Sequence, residues 1–155
     1  MALMRSIVKK SRSDPDVIAV ARSLTEHLAA KDWVGQVRAV FRFVRDRIRY
    51  TLDPNDVETL STPMRLLRLK QGDCDDKAIL LAALLEAIGH PARFKAVGFR
   101  AGELSHVYVE TKLEIPAVLK AFPDGWIPLD ATEIGDIGDL AFPVSEIREK
   151  WIVHI

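Results

Sequence analysis

The stretch from Ala78 to Ile88 is apolar on nearly every side of a helix. Ile79, Leu80, Ala83, Leu84, Ala87 and Ile88 form one face, while Leu81, Ala82 and Leu85 fill the opposite one. A helix with no side to offer to water must be surrounded, so this segment fixes the centre of whatever the chain folds into. Gly89 is expected to end it in the left-handed conformation that glycine adopts without strain, and Pro91 prevents its continuation. Glu86 interrupts the run, which is too short to cross a bilayer, and no membrane association is expected. The single cysteine, Cys74, lies just before the run in Gly72-Asp73-Cys74-Asp75-Asp76-Lys77.

The segments upstream supply helices to pack around it. Asp14-Pro15 is a cap followed by proline at the first helical position, and Val17, Ile18, Val20, Ala21, Leu24 and Leu28 recur at helical spacing. Asp32 can cap a second helix from Trp33 to about Ile48, with Val37, Val40, Phe41, Val44 and Ile48 as its apolar stripe. Arg38, Arg42, Arg45, Arg47 and Arg49 crowd the same region and read as a solvated face. Lys plus Arg number 22 and Asp plus Glu number 22, and the arginines lack aromatic or glycine interleaving, so no nucleic-acid partner is expected. Tyr50 to Leu60 contains Asp53-Pro54-Asn55 and reads as a loop, and Thr62-Pro63 opens a short helix through Leu69. Met1 to Lys10 has basic residues without a sustained apolar core; it reads as a frayed or strand-like lead-in rather than a signal peptide.

After Pro91 the pattern changes. Arg93 to Arg100 and Ser105 to Leu113 read as a hairpin around Ala101-Gly102-Glu103, and Glu114 to Phe122 as a short helix or excursion. Asp124-Gly125 turns into a strand from Trp126 to Asp130, and Trp151 to Ile155 is a possible last strand. Helices followed by antiparallel strands give an α+β fold, expected as a single domain over residues 1–155. One cysteine excludes an internal disulfide and fits a reducing, cytoplasmic setting.

Three residues carry candidate chemistry. A lone cysteine is commonly a small buried hydrophobe. Cys74, however, is bracketed by glycine and aspartates and opens a helix, where free N–H groups and the helix dipole favour a thiolate and can receive an oxyanion. The surrounding aspartates pull the other way, so an active thiol would need a histidinium partner. His106 shares a strand face with Tyr108 and Glu110, and Asp130 ends an apolar strand. Each alone is commonly structural. If their strands are antiparallel neighbours, the carboxylate reaches the imidazole and the set becomes nucleophile, base and orienting acid. His27, His90 and His154 are weaker candidates; His90 follows a helix end, where a cation is favoured. Asp73, Asp75 and Asp76 lack the length and glycine of a calcium loop, and neither metal nor cofactor is expected.

These blocks resemble the transglutaminase-like superfamily, a papain-related group of thiol enzymes, over about residues 34–132. Gly72-Asp73-Cys74-Asp75-Asp76 is similar to its Gly-x-Cys-x-acid block and His106-Val107-Tyr108-Val109-Glu110 to its His-x-aromatic-Val-Glu strand. Gly125-Trp126-Ile127-Pro128-Leu129-Asp130-Ala131-Thr132 is similar to its Gly-Trp-x-Pro-x-Asp-x-Thr block. The resemblance implies a buried helix carrying Cys74 at its start, packed on an antiparallel sheet, with Cys74, His106 and Asp130 as the triad. It implies attack on a peptide or protein amide and a thioester intermediate, with protease or amidase action favoured over cross-linking. Small bacterial or phage-encoded members are the nearest in form. Members recruit an upstream, often aromatic, second oxyanion donor. Tyr50 is expected in that role ahead of Trp33, and Gln71 matches the papain-type glutamine by residue type alone. The alternatives are an inactive module of the same fold used for binding or assembly, and an arylamine acyltransferase, whose Arg-Gly-Gly opening to the cysteine block is missing.

Overall fold

The computed structural model describes residues 1–52 and 60–155; the Asp53-Pro54-Asn55 loop expected from sequence lies outside them. Five helices precede the main sheet: α1 (Ala2–Ser11), α2 (Pro15–Thr25), α3 (Trp33–Arg47), α4 (Pro63–Leu69) and α5 (Cys74–Ala87). The expected caps at Asp14, Asp32 and Thr62 form, and Asp73 adds one that the sequence reading did not name: each side chain accepts a backbone N–H from the first turn of its own helix.

Helix α5 is central. Every residue from Ile79 to Leu85 is fully buried, and the helix packs against α1, α2, α3 and α4 on its sides. It ends as expected, with Gly89 at φ +87°. The lead-in Met1 to Lys10 is helical, contrary to the strand-like or frayed reading. Met4 and Val8, one turn apart, are buried against α5 while Arg5, Lys9 and Lys10 face water. Two apolar positions at helical spacing were enough, because α5 needed one more cover.

Strands β3 (Ala92–Gly98), β4 (His106–Lys112), β5 (Trp126–Leu129) and β6 (Glu149–His154) form an antiparallel sheet in the order β5-β4-β3-β6. A short helix α6 (Pro116–Ala121) bridges β4 to β5. The last residue of β3 is glycine because a side chain there would run into the Glu103 carbonyl. Phe94, Ala96, Val107, Val109, Ile127 and Leu129 join the core beneath α5. The register places Arg93, Lys95 and Val97 opposite Glu110, Tyr108 and His106, so by alternation these six share the other face. Two-residue strands β1 (Arg49–Tyr50) and β2 (Gln71–Gly72) pair in parallel, a contact the sequence did not suggest.

The arginines of α3 are more than a solvated face. Arg38 and Arg42 donate to Asp136 Oδ2 at 3.1 and 3.0 Å, and Arg45 donates to the Gly135 carbonyl, clamping the loop that follows Asp130. Among the described residues, no helix is long and apolar enough to cross a membrane.

Candidate active site

Cys74 is the first residue of α5, with Asp73 as its cap: Asp73 Oδ1 accepts the Asp76 N–H at 3.0 Å. The N–H of Cys74 is therefore one of those that the helix itself leaves unsatisfied. The chain can enter the helix this closely because Gly72 has no side chain. A Cβ there would lie 2.7 Å from Leu66 Cδ1 and 2.8 Å from Asp76. The three aspartates take different roles. Asp73 caps, buried Asp76 accepts the Ser61 N–H at 2.7 Å, and Asp75 Oδ1 lies 3.8 Å from the Cys74 sulfur.

His106 begins β4 and Asp130 follows the last residue of β5. The antiparallel pairing of the two strands, with Val109 opposite Leu129, brings them together. His106 Nε2 meets Asp130 Oδ2 at 2.7 Å. Asp130 Oδ1 accepts from the Thr132 hydroxyl at 2.6 Å and its N–H at 3.1 Å, so both oxygens of this buried carboxylate are engaged. With Nε2 committed to Asp130, Nδ1 is the ring atom left for the thiol. Burial disfavours the His106 cation, but the hydrogen bond to Asp130 and then the influence of Cys74 outweigh it and push its pKa up to about 10. Burial likewise opposes ionisation of Asp130, and the His106 hydrogen bond wins, holding its carboxyl below the usual range. Phe142, from the loop before β6, packs edge-on to the His106 ring at 5.9 Å between centroids. A cavity of about 260 Å³ opens beside Cys74 and His106, walled by Met4, Ala96, Leu104 and Val107.

The β1–β2 pairing settles which upstream residue comes near. Tyr50 stands opposite Gly72, and the Thr51 N–H donates to the Gly72 carbonyl at 3.0 Å. Tyr50 is 44% exposed; partial desolvation first, then its electrostatic interaction with Cys74, Asp73, Glu133 and Asp130, raises the pKa of its hydroxyl, so the phenol shares the field of the site. Trp33 packs instead against His90 at a centroid distance of 6.3 Å, beyond the far end of α5. Gln71 is exposed, its Oε1 taking the Arg49 guanidinium at 2.8 Å. His90 is buried with Nε2 on Gln36 Oε1 at 2.9 Å, and burial lowers its pKa, against the cation favoured from sequence.

One residue escaped the sequence reading. Lys77 is 2% exposed, and its ammonium donates to the Ile48 carbonyl at 2.8 Å and the Arg45 carbonyl at 3.3 Å. Burial lowers its pKa to about 8 against the pull of Asp130 and Asp46. The available signal was a lysine entering a helix that has no solvated side. Among the described residues, no group of three or more His, Cys, Asp or Glu is arranged to hold a metal ion.

Similar proteins agree with this arrangement at the level of fold. No curated protein sequence matches the chain. LapG of Legionella pneumophila, solved calcium-bound, superposes with TM-score 0.58 at 20% identity, covering 86% of this chain and 75% of LapG. A candidate cysteine protease from Cytophaga hutchinsonii gives TM-score 0.57 at 17% identity over 89% of this chain and 46% of that one. A candidate protease from Parabacteroides distasonis gives 0.58 at 14% identity over 91% and 31%. The chain thus spans less than half the length of the latter two proteins. A sequence profile of the transglutaminase-like superfamily matches residues 18–131, the larger part of the chain, with Cys74, His106 and Asp130 all inside the match; the chain belongs to that superfamily.

Proposed function

We propose that this protein is a thiol-dependent hydrolase or acyl transferase acting on peptide or protein amides, with hydrolysis favoured over cross-linking. The observation that carries the reading is the 2.7 Å contact between His106 Nε2 and a buried Asp130, made on the ring nitrogen that leaves Nδ1 for Cys74.

In this reading the Cys74 thiol gives its proton to His106 Nδ1, and the imidazolium is held by Asp130 through Nε2–H. The sulfur attacks the amide carbon. The carbonyl oxygen becomes an oxyanion, received by the Cys74 N–H at the start of α5 and by the Tyr50 hydroxyl. Collapse breaks the carbon–nitrogen bond, and His106 Nδ1–H passes its proton to the departing amine. A water then enters, His106 takes its proton, and the hydroxide displaces the sulfur, releasing the acid and restoring the thiol. An amine in place of water would give transamidation.

Asp75 Oδ1, 3.8 Å from the sulfur, offers the thiol a partner other than His106 and is the observation behind the second reading, an inactive binding module. Alkylation of Cys74 by iodoacetamide separates the two. An active thiol reacts faster at pH 6 than a free-thiol peptide and loses that advantage in His106→Ala; reaction no faster than the peptide rejects the enzyme. On a peptide library, Cys74→Ala abolishes turnover with its circular dichroism unchanged.

A further inference from the structure

We propose that Lys77 is a positioning residue: by holding the end of α3, it sets Tyr50 against Cys74. The inference rests on the reading of Tyr50 as second oxyanion donor. Lys77 lies three residues after Cys74 on α5, buried to 2% exposure. Its ammonium donates to the Ile48 and Arg45 carbonyls at 2.8 and 3.3 Å. Both belong to the last turn and C-cap of α3, where the helix leaves its carbonyls unsatisfied and its dipole favours a cation.

The chain beyond Ile48 gives the contact its consequence. It runs directly into β1, and Tyr50 is two residues on. Strand β1 then pairs with β2, whose last residue, Gly72, is two residues before Cys74. The end of α3 is therefore tied to the nucleophile helix twice, by backbone pairing through Gly72 and by the Lys77 side chain. The backbone pairing brackets Tyr50 through the Arg49 and Thr51 N–H groups, and Lys77 holds Arg45 and Ile48 just before them, so the segment that carries the phenol is fixed from the end of α3 onward. Packing alone does not call for an ammonium here. A buried charge gives up its hydration, and an apolar residue of similar length would fill the volume without that cost. Methionine would take the ammonium donor from both α3 carbonyls, however, and leave the segment carrying Tyr50 held by the β1–β2 pairing alone.

The placement is tested without any activity. In Lys77→Met, amide hydrogen exchange at Arg49 and Thr51, whose N–H groups donate to Lys70 and Gly72, should accelerate at least about tenfold, while residues 79–85 of the α5 core stay protected. Should Lys77→Met fail to fold, Lys77→Gln, which keeps one donor, serves in its place. Unchanged exchange at Arg49 and Thr51 overturns the proposal whether or not the protein is an enzyme.

The catalytic consequence is read on the peptide substrate. In Lys77→Met, kcat should fall about ten- to a hundredfold with KM within about threefold, in line with the displacement of one oxyanion donor. Alkylation of Cys74 by iodoacetamide, which passes through no oxyanion, should stay within about threefold of wild type. Lys77→Gln should recover part of kcat, and the Lys77→Met loss should vanish in a Tyr50→Phe background. Losses that add across Lys77 and Tyr50, or that fall equally on alkylation, overturn the positioning role. A wild-type thiol with neither turnover nor enhanced alkylation instead defeats the proposed function, and leaves the exchange result to decide the placement.

Discussion

Replacing Asp130 with asparagine should flatten the pH dependence of stability in a defined window. His106 in the folded protein has its pKa raised from 6.5 to about 10. Its folded value lies above its unfolded one, so the stabilisation is fully present below pH 6.5 and is lost as pH rises through about 10. At 1.36 kcal/mol per unit, the full effect amounts to about 5 kcal/mol. Lys77 runs the opposite way. Its folded pKa, about 8, lies below the ordinary 10.5, so the cost of burying its charge is complete below pH 8 and fades as pH rises towards 10.5. The two oppose each other above pH 8, and between pH 6.5 and 8 His106 acts without Lys77. Over that interval His106 alone should cost the wild type about 2 kcal/mol. Asp130→Asn keeps the shape of the carboxylate and its Thr132 partners but removes the charge that holds the imidazolium. Urea unfolding of both proteins at half-unit steps measures the difference in stability, and groups that titrate alike in both cancel. Lys77 does not, since losing the pull of Asp130 lowers its pKa further in the variant, which relieves the variant's burial cost and closes the gap in the same direction. The gap between wild type and Asp130→Asn should close by most of those 2 kcal/mol from pH 6.5 to 8. A gap that stays constant over the interval would show that Asp130 does not hold a cationic His106, and would remove the electrostatic basis of the triad.

Three further substitutions have definite signs. Gly72→Ala should cost about 1–3 kcal/mol, because the added methyl overlaps Leu66 and Asp76 at the entry to α5; its melting temperature and its rate of Cys74 alkylation should both fall. Leu84→Ala, at a position with no exposure, should cost about 2–5 kcal/mol in urea unfolding. Lys70→Gly should instead stabilise by about 0.5–1 kcal/mol, since Lys70 ends α4 at φ 55°, where a side chain is strained and glycine is not; a lower urea midpoint would contradict this.

Local signals carried much of the fold in the sequence. Asp14, Asp32, Thr62 and Asp73 open helices because a short polar side chain followed by a helical run has one good use, and Gly89 closes α5 because few residues accept its φ. The centrality of α5 followed from its composition alone. The hidden features depend on groups far apart in sequence. The pairing of β1 with β2 involves two residues on each side, too short to leave a pattern. The α3 arginines looked solvated because their partner, Asp136, is 98 and 94 residues from Arg38 and Arg42. Phe142 reaches His106 from a loop with no periodicity.

The candidate site divides along the same line. Cys74 and its cap are local, and a motif of six residues specifies them. The meeting of His106 with Asp130 depends on the register of β4 against β5, and that register is set by alternation. Val109 and Leu129 sit opposite each other on the buried face. A slip of one residue would turn one of the two strands outward, and the hydrophobic cost of exposing either Val107 and Val109 or Ile127 and Leu129 forbids it. The same apolar residues that hold the sheet to α5 therefore fix the 2.7 Å contact between His106 and Asp130. Lys77 is the exception to this reach of local pattern. Its hydrophobic neighbours predict a buried position, yet only the carbonyls at the end of α3 explain why the residue placed there carries a charge.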